Sequence, residues 1–311
     1  MLAGSVRSYR KDVLYPLAAL QSFELHNYGA LTKDPARYPL IAVVSTDWSS
    51  ERASILITGG VHGDETSGVH ATLRFLQDAL ASGYTELFNI VAVPVVCPWG
   101  YETGTRWSVS TSDDAEERMC LGFPSEFAHV VDPNRSFRPA ALEGPCEETA
   151  ALCGFLDGLS MRGRRIDCHL DLHEYSPPYA TDGDSGYFII GDAERPQPAW
   201  YDAMIRAVLP VTPVATVHPA AVEPASVWEA WRAFNHDGEM YISYKDVALE
   251  SAGVVCLYDP KAYGYCVGVT QAELTATIEA CAAAGFETCV AAHVAAIHGA
   301  LDYLGSAKGI R

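Results

Sequence analysis

Basic residues are scarce in this chain of 311 residues, and long hydrophobic runs are missing from it. The 21 lysines and arginines are outnumbered by 39 aspartates and glutamates, which gives a formal net charge of −18. A surface this acidic repels phosphate backbones and anionic headgroups, so we expect no nucleic-acid partner. No stretch approaches the ~20 apolar residues that a membrane span needs, so we expect no membrane partner either.

Paired cysteine motifs are also missing. The nine cysteines include no CxxC pair, and most lie in apolar stretches such as IDCHLDL (166–172). This pattern is typical of free thiols that serve as small core residues in a reducing compartment. At the N-terminus, Arg7, Arg10 and Lys11 interrupt any apolar segment of the kind found in a signal peptide. We therefore expect a cytoplasmic protein.

Short apolar runs alternate with amphipathic segments along the chain. Several runs are apolar on both faces, as strands are when helices cover both sides of a sheet. The predicted strands are 40–45, 53–59, 88–96, 166–172, 186–190 and 246–251, and the predicted helices are 67–80, 146–159, 270–285 and 289–304. The alternation predicts an α/β fold, with a single domain over 1–311. Its twisted central sheet is mixed or mostly parallel, with helices on both faces.

The stretch ITGGVHGDETSGVH (57–70) places polar residues directly after a predicted buried strand. His62 and Glu65 follow the strand's carboxyl end, where open α/β sheets bind their ligands. Imidazole and carboxylate are good zinc ligands, and a catalytic zinc takes three protein ligands and a water. The alternative interpretation is a polar turn that caps the next helix at Thr66.

A third ligand is available in HLDLHEY (169–175), which also ends a predicted strand. His169, Asp171 and His173 share one face of that strand, because side chains alternate with a period of two. His173 lies nearest the carboxyl end and is the better candidate, with His169 as the alternative. Asp171 could orient a metal ligand by a hydrogen bond, or it could be purely structural.

Two further stretches carry isolated polar groups. DPNRSF (132–137) offers Asn134 and Arg135, and an arginine can bind a carboxylate through two hydrogen bonds. In VALESAG (247–253), Glu250 ends a predicted strand. Burying its carboxylate costs free energy unless the carboxylate has a partner, such as a metal-bound water. The alternatives are a surface turn for the first stretch and an ion-paired acid for the second.

In this order the four stretches resemble the zinc carboxypeptidase superfamily, which includes aspartoacylase and succinylglutamate desuccinylase. The pattern is HxxE (62–65), Asn-Arg (134–135), a histidine closing a strand (173) and a late glutamate (250). CPWGYETGTRW (97–107) and GPCEETAALCGFL (144–156) also resemble segments of that group, and GTR…NRSF is similar to its murein-peptide amidases. The resemblance spans about residues 50 to 255.

The resemblance implies one zinc ion held by His62, Glu65 and His173. It implies that zinc acidifies a bound water, that Glu250 takes the water's proton, and that Arg106 steadies the oxyanion. Asn134 and Arg135 would bind a substrate carboxylate. The acidic stretch 107–131 leaves Arg118 as the alternative to Arg106. The family's mobile tyrosine is assigned to Tyr241, with Tyr244 and Trp228 as alternatives.

The activity implied is hydrolysis of an amide bond next to a free carboxylate. The leading prediction is a metallocarboxypeptidase acting on peptides. The first alternative is an N-acyl amino acid deacylase of the aspartoacylase type, and the second is a zinc-binding module without catalysis. Deacylases of this group usually carry a C-terminal β domain, whereas residues 266–304 here predict helices. We therefore expect the structure to end in helices.

Overall fold

A computed structural model describes residues 7–109, 130–137, 146–175, 186–192, 195–215, 253–257, 264–270 and 272–307. The strands are β1 (Phe23–Ala30), β2 (Pro39–Ser45), β3 (Ala53–Gly59), β4 (Phe88–Val93), β5 (Ser108–Val109), β6 (Val130–Val131), β7 (Cys168–Tyr175), β8 (Phe188–Asp192), β9 (Val254–Leu257) and β10 (Leu274–Cys281). The α-helices are α1 (Tyr15–Ala18), α2 (Ser67–Asp78), α3 (Tyr84–Leu87), α4 (Pro98–Thr103), α5 (Glu147–Met161), α6 (Pro198–Val208) and α7 (Phe286–Ala307).

Eight of these strands form one mixed sheet in the order β1-β2-β4-β3-β7-β10-β8-β9. The centre is parallel, because β3 pairs in parallel with β4 and β7, and β7 pairs in parallel with β10. Antiparallel pairs join β1 to β2, β2 to β4, and β10 to β8. The predicted α/β class with a mixed central sheet is confirmed. The carboxyl ends of β3, β7 and β10 consequently meet at one edge.

Helices cover both faces of this sheet. One buried cluster joins α2, α6 and α7 to the sheet and includes Phe75, Trp200 and Ile297. A second cluster lies beneath α5 on the opposite face and includes Leu152 and Leu156. The helices on both faces account for the uninterrupted burial of β3 and β4, which are accordingly mostly apolar. Among the described residues, no helix is long and apolar enough to cross a membrane.

The helix predicted over 270–285 is wrong, because this segment contains β10. Thr270 and Glu273 have capping-box spacing and alanines favour helices, but 274–281 also alternates with a period of two. Leu274, Ala276 and Ile278 share one strand face, and ladders to β7 and β8 satisfy the backbone on both sides. Tertiary pairing therefore overrides local helix propensity here.

The remaining predicted elements have mixed outcomes. Strands at 40–45, 53–59, 88–96, 166–172 and 186–190 correspond to β2, β3, β4, β7 and β8, with shifts of a few residues at the ends. The predicted strand at 246–251 lies outside the described residues. The segment 266–304, which was expected to be helical, contains the strand β10 followed by the helix α7.

Candidate metal centre

The loop between β3 and α2 carries the HxxE motif at the sheet edge. Gly60 has a φ of 54°, a left-handed backbone conformation that glycine adopts without a Cβ penalty. A Cβ on Gly63 would lie 1.9 Å from the carbonyl carbon of Gly100 at the start of α4. The loop is thus held tightly against α4, and His62 and Glu65 are both buried.

Three side chains converge at this point. The Glu65 carboxylate lies between two imidazoles: Oε1 is 2.7 Å from His62 Nδ1, and Oε2 is 2.7 Å from His173 Nδ1. One ligand atom from each of the three residues lies within 4.8 Å of the others. His173 enters from the carboxyl end of β7, so the structure brings together all three predicted ligands. His169 is not part of this group.

The second nitrogen of each imidazole faces an aspartate. His62 Nε2 is 2.9 Å from Asp132 Oδ1, and His173 Nε2 is 2.8 Å from Asp171 Oδ2. An ionised carboxylate accepts the Nε2 proton, so Nδ1 is the nitrogen of each imidazole that faces the shared centre and could bind a metal there. This arrangement, in which a carboxylate orients a ligating histidine, is common in zinc proteins.

The charges of the cluster stabilise one another. Burial opposes ionisation of Glu65, but His62 and His173 hold its pKa well below the usual range. Burial likewise opposes ionisation of Asp132, and Arg106 and His62 hold its pKa well below the usual range. For His173, burial opposes the charged form, but Asp171 and Glu65 raise its pKa well above the usual value. The site therefore favours cationic charge at its centre.

A fourth acid, Glu279, lies beside the cluster. In the parallel ladder between β7 and β10, Glu279 is the register partner of His173, so both side chains project from the same face. Glu279 remains partly exposed, whereas His173 is buried. Burial raises the pKa of Glu279 to about 7; His173 opposes this rise and Glu65 adds to it. Glu250 lies outside the described residues.

Arg106 reaches the cluster from the segment after α4. Its Nη1 donates to Glu65 Oε1 at 2.9 Å, and its Nη2 donates to Asp132 Oδ2 at 3.2 Å. Burial opposes the charge of the guanidinium, but Asp132 and Glu65 raise its pKa. About a third of the side chain remains exposed to solvent, at 35%. Arg106 therefore presents a permanent positive charge at the rim of the site.

Asn134 and Arg135 form the adjoining wall. The buried Asn134 accepts a hydrogen bond at Oδ1 from the backbone N–H of Cys266, at 2.8 Å. Its Nδ2 lies 3.4 Å from His173 Nε2. Arg135 stacks over the ring of Tyr265 with 4.4 Å between its guanidinium carbon and the ring centroid. Stacking leaves the edge of a guanidinium available for a planar carboxylate.

This donor set fits a single zinc ion. Two imidazole nitrogens and one carboxylate are the protein ligands of many catalytic zinc sites, which leave the fourth position to water or substrate. In this structure, both imidazoles are oriented by carboxylates and the three donors already converge. His62, Glu65 and His173 are therefore the described residues that could hold a metal ion here.

Comparison with known families identifies the chain's relatives. The model of the succinylglutamate desuccinylase/aspartoacylase catalytic domain matches residues 51–208, which is just over half of the chain. The chain belongs to the succinylglutamate desuccinylase/aspartoacylase family. The matched range includes the three candidate ligands and Arg106, Asn134 and Arg135, but it ends before Glu250 and Glu279. A search of curated proteins finds no match.

Solved structures share the fold of this family member. A protein from Shewanella amazonensis SB2B, provisionally named a metallopeptidase, has a TM-score of 0.63 at 16% identity. The match covers 94% of this chain and 90% of the Shewanella chain. Bovine thrombin-activatable fibrinolysis inhibitor has a TM-score of 0.58 at 12% identity, with 97% and 98% covered. Carboxypeptidase A from Helicoverpa armigera has a TM-score of 0.58 at 14% identity, and the match covers 95% of this chain and 74% of the carboxypeptidase chain. These likenesses establish a carboxypeptidase-like fold.

The structure also shows which site residues the sequence interpretation missed. His62, Glu65, Arg106, Asn134, Arg135 and His173 lie together, whereas Tyr241, Tyr244, Trp228, Arg118 and Glu250 lie outside the described residues. Asp132 and Glu279 were not identified from the sequence. Asp132 stands two residues before Asn134, and Glu279 follows Thr275 and Thr277 at the same period of two. That lone acid was the available signal, hidden by the incorrect helix assignment.

Proposed function

We propose that this chain is a zinc-dependent hydrolase that cleaves an amide bond next to a free carboxylate. In this proposal, residues 1–311 form one catalytic domain. The observation that carries the proposal is the convergence of His62, Glu65 and His173 with an additional carboxylate, Glu279, on the neighbouring strand. The first three residues are a ligand set, and the fourth is a proton acceptor that is not needed for holding the metal. A module that only binds zinc has no use for this acid.

Zinc would be held by His62 Nδ1, a Glu65 carboxylate oxygen and His173 Nδ1. When bound, zinc supplies Lewis acidity, which lowers the pKa of a water to about 7 and polarises a carbonyl. Asp132 and Asp171 keep the two imidazoles in the tautomer that this binding requires. The chain thus fixes the ligand geometry through hydrogen bonds outside the ligand set.

We assign the role of general base to Glu279, in place of Glu250. A carboxylate oxygen of Glu279 takes the proton of the attacking water and then delivers it to the leaving nitrogen. Its position opposite His173 in the register of β7 and β10 supports this assignment. Arg106, which already bonds Glu65 and Asp132, provides positive charge for the oxygen that becomes negative during attack.

The substrate carboxylate would bind Asn134 and Arg135. Asn134 is fixed by the Cys266 backbone, and Arg135 is supported by the Tyr265 ring. A guanidinium pre-oriented in this way can form two parallel hydrogen bonds with a carboxylate. Asn134 adjoins the proposed ligand His173, since Asn134 Nδ2 is 3.4 Å from His173 Nε2. The cleaved amide would therefore lie close to the free carboxylate.

Two substrate classes satisfy this chemistry. A peptide with a free C-terminus agrees with the carboxypeptidase-like fold. An N-acyl amino acid is the second candidate, and the family match favours it. Both present an amide next to a carboxylate, so the same residues serve either substrate.

The test is a mass-spectrometry turnover screen of the zinc-loaded protein with a mixed pool of peptides and N-acyl amino acids. Peptides shortened at the C-terminus would indicate a carboxypeptidase. Deacylated amino acids with intact peptides would indicate a deacylase. Failure of the zinc-loaded protein to hydrolyse any member of a broad pool would contradict the proposed activity.

Glu279→Gln and Glu250→Gln form a matched pair for assigning the base. We expect Glu279→Gln to lower the turnover number by at least ~10²-fold, because general bases typically contribute ~10²- to 10⁴-fold. It should still bind about one zinc ion, since Glu279 is not a ligand. Glu250→Gln should retain turnover close to the unsubstituted protein. The reverse result would return the role of base to Glu250.

A further inference from the structure

A second, fully buried polar layer lies beneath the candidate metal centre. Thr58 on β3 is the register partner of Asp171 on β7, and both are completely buried. His169 lies two residues earlier on β7 and is also completely buried. Apolar side chains would ordinarily fill such positions, because a polar group without a partner is costly in the interior. The polar atoms of this layer are hydrogen-bonded to one another, and the bonds connect them to His173.

The hydrogen bonds of this layer converge on the Asp171 carboxylate from two sides. Thr58 Oγ1 donates to Asp171 Oδ1 at 2.6 Å, and Asp171 Oδ2 is 2.8 Å from His173 Nε2. The hydroxyl has only one proton, so the 3.0 Å contact between His169 Nε2 and Thr58 Oγ1 makes His169 the donor. The connected groups are His169, Thr58, Asp171 and His173, and the bond from His173 Nε2 to Asp171 leaves Nδ1 as the nitrogen that faces the candidate metal position.

We infer that Thr58 is a positioning residue of the metal centre, which holds Asp171 so that Asp171 can orient His173. This inference rests on the proposed function, because it assumes that His173 ligates zinc. Without the Thr58 hydroxyl, Asp171 Oδ1 would lose the bond that fixes the plane of the carboxylate. His173 would then have a poorly oriented partner, and the metal would be bound more weakly.

A second metal site is the competing explanation for this layer. His169, Asp171 and Cys266 each have a ligand atom within 4.8 Å of the others. However, the Thr58 hydroxyl already bonds His169 and Asp171, and Cys266 Sγ lies 3.6 Å from that same hydroxyl. Burial also raises the pKa of the Cys266 thiol, whereas a zinc ligand is a thiolate. The geometry therefore favours a hydrogen-bond chain over a second ion.

The test compares zinc affinity in Thr58→Val, Thr58→Ser and the unsubstituted protein by competition with a chelator. Valine has nearly the shape of threonine but no hydroxyl, and we expect zinc affinity to fall by about 10- to 100-fold. Serine restores the hydroxyl and should restore most of the affinity. With cobalt in place of zinc, Thr58→Val should also change the visible absorption spectrum, which reports ligand geometry.

The matched control is Thr72→Val in α2. Thr72 is equally buried, but its hydroxyl donates only to the Gly68 carbonyl within its own helix, at 2.8 Å. Zinc affinity should be unchanged in this variant, which separates the loss of any buried hydroxyl from the loss of this one. Asp171→Asn interrupts the same chain at its carboxylate and should weaken zinc binding even if Thr58→Val fails to fold.

The outcomes separate this inference from the proposed function. If the unsubstituted protein holds no zinc, the proposed function fails. If it holds one zinc ion and both Thr58→Val and Asp171→Asn bind zinc equally well, only the positioning role is refuted. Two zinc ions per chain, with one lost in Cys266→Ala, would replace the hydrogen-bond chain by a second metal site.

Discussion

Gly68→Ala should move apart Glu65 and His173, two of the proposed metal ligands, without altering either side chain. A Cβ at Gly68 would lie 2.7 Å from the carbonyl oxygen and 2.8 Å from the Cβ of Leu172, the residue before His173. Helix α2 must therefore move away from β7 by roughly 0.5–1 Å, a gap that forfeits a quarter to a half of each dispersion contact. Because α2 begins directly after the Glu65 loop, the displacement separates Glu65 from His173.

The magnitude follows from two opposing terms. Overpacking of this kind costs typically ~1–3 kcal/mol, and replacing glycine by alanine within a helix returns ~0.5–1 kcal/mol. The control, Gly154→Ala in α5, has only the second term, because a Cβ there meets nothing within 4 Å. The helix term is common to both variants and cancels, so we expect the free energy of unfolding of Gly68→Ala to be ~1–3 kcal/mol lower than that of Gly154→Ala.

Urea unfolding followed by tryptophan fluorescence measures the free-energy difference, and chelator competition measures zinc affinity. We expect Gly68→Ala to bind zinc at least ~10-fold more weakly. This is the smallest loss of metal affinity typically seen when residues that support the ligands are changed. Equal stability in the two variants would refute the packing argument. Lower stability with unchanged zinc affinity would show that the contact between α2 and β7 does not set the ligand geometry.

Two other predictions concern charge. Arg135→Ala should raise KM by ~10-fold or more for substrates with a free carboxylate, because a charged hydrogen bond is worth ~1.5–3 kcal/mol. The control is the same substrate with its carboxylate amidated. An equal rise in KM for both substrates would show that Arg135 does not bind the carboxylate. His293 is buried against Tyr187, and burial lowers its pKa to about 3. Since the unfolded histidine takes up a proton below ~6.5, stability should fall by ~1.4 kcal/mol per pH unit as the pH drops from ~6.5 towards 3. Urea unfolding of metal-free protein between pH 4.5 and 6.5 should show a shallower slope in His293→Gln, and identical slopes would contradict a neutral buried His293.

The sequence indicates the candidate metal-binding residues most directly where they stand at the end of a strand. His62, Glu65 and His173 are of this kind, since the apolar runs of β3 and β7 identify the strands and their carboxyl ends. Arg106 and the Asn134–Arg135 pair required the resemblance, because nothing in their local pattern places them near a strand end.

Glu279 could not be placed because its position depends on pairing between distant strands. The segment 274–281 contains residues that favour helices, yet it inserts between β7 and β8, which are far away in the sequence. Only the resulting register sets Glu279 opposite His173. Asp132 was missed for a similar reason, since its contact with His62 spans 70 residues of sequence. Thr58 looks like an ordinary strand residue until its register partner is known.

Zinc content of the purified protein tests the central claim most directly. Inductively coupled plasma mass spectrometry should find about one zinc ion per chain in the unsubstituted protein. His62→Ala, Glu65→Gln and His173→Ala should each lose most of it, while His298→Ala, which removes a histidine packed against Phe75 and Tyr84, should keep it. Retention of a full zinc ion by the three ligand variants would contradict the assignment of the metal centre, and with it the proposed hydrolase.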